Sequence, residues 1–244
     1  MDINKTFTVH CMRVASSVTA PDPSILSQRL RDYLAGDTVR GVEVSVDEST
    51  VGDSGTLNAI DWQVDEEDAE DIRHRVELAY EKSTFLVFVL LSRSLLLLYA
   101  PAPIRNAVVR FLAQTFDTRI SPLIPNPATL ISVFETWLGD GGLSTKKDVI
   151  IALGFGDKIP GEGLRSIDIA IPAEDVGGFV GEGENFSDNL AAYMDKHLAL
   201  NMKHAGVRIV KIACGGFVLG GGKMKLLDEA ASAVVLNGIS LEHI

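Results

Sequence analysis

Hydrophobic and polar positions alternate from the start of the chain. Phe7, Val9 and Cys11 stand against Thr6, Thr8 and His10, which is strand period. Pro21-Asp22-Pro23-Ser24 then reads as a helix start. Leu26, Leu30, Tyr33 and Leu34 make one helical face, and Gly36 offers a stop. Val42, Val44 and Val46 alternate as a strand, and a polar stretch follows, broken by Ala59-Ile60-Asp61-Trp62. Val76, Leu78 and Tyr80 resume the strand period over Arg73 to Glu81. Two apolar runs come next, 84–91 and 94–100, and their unbroken character predicts central strands buried on both faces.

Five of the nine prolines fall between 101 and 127, and they punctuate two helices. Ile104, Val108, Phe111 and Leu112 share one helical face. Asn126-Pro127 reads as cap and first residue of the next helix, with Leu130, Phe134, Trp137 and Leu138 on its face. This connector suggests a division into a strand-rich block, 1–120, and a glycine-rich portion, 121–244, within which one continuous domain is the alternative. Beyond it, 17 of the 22 glycines lie between 139 and 222. Short strands are expected at Asp148–Leu153, Ser166–Ile171, Val207–Ala213 and Phe217–Leu219. A helix is expected from Ser187 to His204, closed by Gly206, another from Leu226 to Leu236, and an edge strand over Ile239–Ile244. Strands and helices do not alternate strictly, so the expected class is α+β, a mainly antiparallel sheet with several packed helices.

One stretch competes with this reading. Thr84 to Ala100 is long enough, at 17 residues, to be weighed as a membrane span. Arg93 stands at its middle, where insertion costs ~3 kcal/mol. Ser92-Arg93-Ser94 also makes a natural turn between two equal runs. Two buried strands are the expectation, and no membrane span is favoured. The first twenty residues carry Asp2, Lys5 and Arg13 and lack a secretory pattern. The apolar close at Ile244 suits the N-terminal region of a longer protein.

Charge changes the picture more than composition does. The chain has 33 acids and 22 bases, a net charge of -11. Eleven acids lie between Gly41 and Ile72, with no Lys or Arg among them, so the rest of the chain is balanced. Such a segment is either a solvated loop or a docking site for a basic partner, with Asp65, Glu66, Glu67, Asp68, Glu70 and Asp71 as its densest part. The same balance argues against direct nucleic-acid binding, although Lys203, Arg208, Lys211, Lys223 and Lys225 give the C-terminal third a modest basic character. Two cysteines, Cys11 and Cys214, sit in apolar runs with no CxxC, which fits reduced core thiols and a cytoplasmic protein.

Candidate chemistry is thin. Gly220-Gly221-Gly222-Lys223 has the glycines and the cation that cradle an anion. A P-loop would need Gly where Phe217 stands and Ser or Thr where Met224 stands. Hairpin turns between short strands explain those glycines as well. Gly154-Phe155-Gly156 lacks the third glycine of a dinucleotide loop, having Ile159 and then Pro160 instead. Gly52-Asp53-Ser54-Gly55 has only His10 upstream, too little chain for a serine-protease triad. His197 and His204, two turns apart on the expected helix, stand ~10 Å from each other, too far to share a metal. Glu182 and Glu184 in the glycine loop 175–189 have no fixed geometry for acid–base work.

No cofactor or metal is expected, and the catalytic residues are unknown. The leading expectation is a non-enzymatic accessory or interaction subunit of a cytosolic multi-protein assembly, bound to a protein partner or to a second copy partly through the acidic segment. The alternative is an enzyme or sensor that binds a small anionic ligand, a nucleotide or phosphate, at Gly220, Gly221, Gly222 and Lys223.

Overall fold

The computed structural model describes residues 3–14, 22–35, 54–65, 73–142, 146–155, 165–180 and 185–240. Two compact units emerge, 7–123 and 124–244, the second joined by residues 1–6.

The first unit contains β1 (Thr6–Met12), α1 (Pro23–Leu34), β2 (Leu57–Asp65), β3 (Arg73–Tyr80), β4 (Thr84–Leu90), β5 (Leu95–Tyr99), α2 (Ala102–Thr115) and β6 (Ile120–Pro122). Its strands run in the order β2-β3-β4-β5-β1, with β6 also paired to β1. Every one of these pairings is antiparallel. The sequence pattern explains the core. Val76, Leu78 and Tyr80 point one way from β3 and are buried, while Arg75 and Glu77 between them are half-exposed. β4 and β5 bury nearly every residue, as their unbroken apolar runs require. Leu26 and Leu30 of α1, with Ile104, Val108, Phe111 and Leu112 of α2, pack into one cluster with Val76, Val87, Leu96 and Leu98. Asp22 caps α1 by accepting from the Ser24 N–H at 2.8 Å. The stretch weighed as a membrane span is thus a β4–β5 hairpin. Its turn, 91–94, contains Arg93 and closes on Ser94 at φ 53°. Among the described residues no helix is long and apolar enough to cross a membrane.

The second unit contains α3 (Pro127–Gly139), β7 (Val149–Phe155), β8 (Ser166–Ile171), the short α4 (Ala173–Val176), a 3-10 turn (Gly177–Phe179), α5 (Phe186–Leu198), β9 (Val207–Ala213), β10 (Phe217–Gly220), β11 (Lys223–Leu226) and α6 (Ala230–Gly238). The strand order is β11-β10-β9-β7-β8, again antiparallel throughout. One sheet face is apolar. It carries Ile151, Leu153, Ile212, Phe217, Leu219, Met224 and Leu226, all buried. α3 covers it, with the Trp137 ring edge-on to Phe217 at 6.0 Å between centroids. Asn126 caps α3 by accepting from the Thr129 N–H at 2.9 Å. α5 packs on α3 through Phe186 and Phe134, 5.0 Å apart, and Glu135 accepts from the Ser187 N–H and hydroxyl.

The expected α+β class is what the structure shows. Several elements differ from expectation. β2 occupies residues read as a broken polar stretch; as the end strand of its sheet it exposes most of its side chains and buries only Trp62. β6, three residues long, was not anticipated. The helix expected to run to His204 stops at Leu198, because Ala199 turns left-handed at φ 50° and ends the hydrogen-bond ladder. Leu226 belongs to β11, not to the last helix, which starts four residues later. Ile239 and Ser240 form the turn after that helix rather than an edge strand, and 241–244 lie outside the described residues. So does the strand expected at Val42–Val46.

Candidate interaction surfaces

The Gly220–Lys223 loop is a two-residue hairpin turn. Gly220 pairs with Lys223 across β10 and β11, leaving Gly221 and Gly222 at the tip. Both have positive φ, 60° and 71°, as a type I′ turn requires. Gly220 meets a different need. A Cβ there would lie 2.4 Å from the Val210 carbonyl oxygen and 2.6 Å from the Lys211 Cα. The glycines thus answer to strand pairing, and Lys223 extends from a strand rather than from a helix N-terminus. This geometry lends no support to an anionic-ligand loop.

Of the six carboxylates singled out in the acidic segment, Asp65 is described. It ends β2, exposed, and pairs with Arg73 across β3. Glu66, Glu67, Asp68, Glu70 and Asp71 lie outside the described residues. In the GDSG stretch, Ser54 and Gly55 are described. The Ser54 carbonyl accepts from the Lys82 N–H, and Gly55 takes φ 77° beside Glu81, so the pair forms a turn against the β3–β4 connection. Of the glycine loop 175–189, Glu182 and Glu184 lie outside the described residues.

The histidines fall into two groups. His197 is exposed and stacks on Tyr193 at 4.5 Å, while His204, past the end of α5, accepts from the Gly206 N–H at 3.1 Å. These two therefore share no helix face. His74 is buried on β3, where its Nδ1 accepts from the Trp62 indole N–H at 3.0 Å. Its proton then sits on Nε2, which has no hydrogen-bond partner among the described residues. His10 on β1 is half-buried, and neither ring nitrogen has a hydrogen-bond partner among the described residues. Burial lowers the pKa of both histidines, and the Arg105 charge lowers that of His10 further. The Trp62–His74 pair was missed from sequence because β2 was missed. The signal for it was an indole eleven residues before the next strand-period run, which opens at Arg73.

Both cysteines are free thiols. Cys214 is buried, and desolvation pushes its pKa up to about 11, which makes it a poor nucleophile. The basic residues of the C-terminal third are sorted by the fold. Lys203 forms an exposed ion pair with Asp188 at 2.9 Å. Arg208, Lys211, Lys223 and Lys225 all lie on strands β9 and β11.

A family model described as centromere protein L matches residues 3–240 of the chain, nearly its whole length. No curated protein matches it.

Proposed function

Since this chain belongs to the centromere protein L family, we propose that it works as a non-enzymatic subunit of a multi-protein assembly at the centromere, holding protein partners through its surfaces rather than turning over a substrate. Family membership carries the reading, because the match spans both units.

Membership also corrects the expected compartment. A centromere is part of a chromosome, so the cytoplasmic placement drawn from two unpaired cysteines fails. Thiols stay reduced in nucleus and cytosol alike, and cysteine usage cannot separate the two.

The finer part of the proposal concerns the acidic segment. Eleven acids without a base between 41 and 72 would speed encounter with a basic partner and lose strength as salt rises. Asp65, the described member of that set, stands exposed at the end of β2, the outermost strand of its sheet.

A fluorescently tagged chain should form foci at centromeres and co-purify with centromeric protein partners in stoichiometric amount. A tag that stays off chromosomes throughout the cell cycle would overturn the proposal. Neutralising Asp65, Glu66, Glu67, Asp68, Glu70 and Asp71 to Asn or Gln should weaken partner recovery at low salt. Undiminished recovery would remove the acidic segment from the interface.

A further inference from the structure

We propose that the open face of the second unit's sheet docks an acidic peptide segment of a partner protein, one that carries apolar side chains between its carboxylates. The inference rests on the reading of the chain as an interaction subunit and gives one partner its chemistry.

Strand register builds this face, since residues directly opposite each other in an antiparallel pair point the same way. One row runs Lys225, Val218, Ala213, Ile150 and Ala170 across five strands. The next runs Lys223, Gly220, Lys211, Ala152 and Asp168. In the third, Arg208 and Ser166 flank Gly154. The opposite face of the same strands is the buried one, under α3 and α6.

The chemistry of the rows is uneven. Lys223, Lys225, Lys211 and Arg208 gather on the β9–β11 side, and none has an ion pair among the described residues. Lys211 and Lys223 stand two strands apart, ~10 Å, and Lys223 and Lys225 ~7 Å along one strand. Gly220 and Ala152 between and beside them keep the row flat. Lys211 and Lys225 are half-buried, so their stems lie along the sheet and their ammonium groups reach out. Beside these cations runs the apolar set Val218, Ala213 and Ile150. Val210 adds to it at the irregularity where β9 slips against β7; it is 41% exposed and lies over Gly154.

Four cations with no ion pair among the described residues, in a chain of net charge -11, call for an anionic partner. An apolar row in register with them suits side chains of a peptide better than phosphates. A duplex is read by an element that protrudes into a groove, and a flat face of Gly, Ala and Val has none. Asp168 ends the second row on β8 and steers carboxylates toward the β9–β11 side.

The test uses the full chain and a labelled synthetic peptide of alternating Glu and Val, followed by fluorescence anisotropy and by methyl resonances of Ala152, Ala213, Ile150 and Val218. The expected result is saturable binding that weakens with salt, shifts those methyls, and falls about tenfold in Lys211→Glu/Lys223→Glu. The milder Lys211→Gln/Lys223→Gln variant should lose less, with the same unfolding midpoint as the parent. Binding indifferent to both variants, or no binding at low salt, would overturn the inference. A DNA duplex that binds this face more tightly than the peptide would overturn it too. If the variants still reach centromeres while the peptide fails, this surface is lost and the subunit reading stands.

Discussion

In the first unit, β4 and β5 bury nearly every side chain they carry; in the second, β9 and β11 alternate buried residues with exposed or half-exposed ones. Both units hang helices on antiparallel strands, yet they spend their side chains differently. A strand buried on both faces has its neighbours chosen for it and leaves nothing for a partner. A strand buried on one face keeps a second face whose chemistry is free to serve recognition. The first unit therefore concentrates stability in its central hairpin, and the second carries an open surface of cations and small apolar residues.

That contrast is breakable by truncation. Leu96 on β5 is fully buried within the α1–α2 cluster, and Ile150 on β7 is half-exposed in the open row. Leu96→Ala should cost about 2–5 kcal/mol of unfolding free energy through lost transfer and a cavity. Ile150→Ala should cost less than about 1 kcal/mol, because it opens no cavity. Urea denaturation of the two variants reads the difference. Equal losses would mean the second sheet is buried on both faces, which would remove the docking surface as well.

A smaller effect separates two glycines of one hairpin. At Gly220 an added Cβ would strike the Val210 oxygen and the Lys211 Cα, both backbone atoms with no room to yield. Gly220→Ala should cost about 1–3 kcal/mol and disturb the register that brings Lys211 and Lys223 onto one row. Gly221 faces open space, so Gly221→Ala meets only the penalty of φ 60°, about 1 kcal/mol. Amide hydrogen exchange in β10 should rise in the first variant and hold in the second. The reverse order would assign the hairpin a geometry other than the paired one.

Sequence legibility follows the same division. The β4–β5 hairpin is readable because two apolar runs flank a polar turn, a pattern two-face burial enforces. Helix starts are readable where a side chain does the capping, as at Asp22 and Asn126. β2 is readable in part: Ile60, Trp62 and Val64 alternate with Asp61, Gln63 and Asp65 and pack on the core, but the acidic sequence around so short a run hides it. The end of α5 is not readable. Ala199 is neither glycine nor proline, and Asn201 continues the helical spacing past the actual stop at Leu198. The basic face was legible as residues and illegible as a surface. Lys211 and Lys223 lie on separate strands, and only the pairing of each with Gly220 puts them in one row.

The smallest effect at neutral pH belongs to the buried histidines, and it divides the units once more. His10 and His74 sit in the first unit with lowered pKa values, whereas His197 and His204 in the second are exposed. An unfolded chain protonates these groups near pH ~6.5. The folded chain resists, since a charge on His74 would be buried beside Trp62, and one on His10 would face Arg105. Below that pH the unfolded state binds more protons, so stability present above it is lost as pH falls toward the folded values. The urea midpoint should therefore decline on acidification. The decline should be shallower in His10→Gln/His74→Gln, even though that variant starts lower for want of the Trp62 acceptor. A slope as steep in that variant as in the parent would place the acid-sensitive groups elsewhere and break the comparison at its most delicate point.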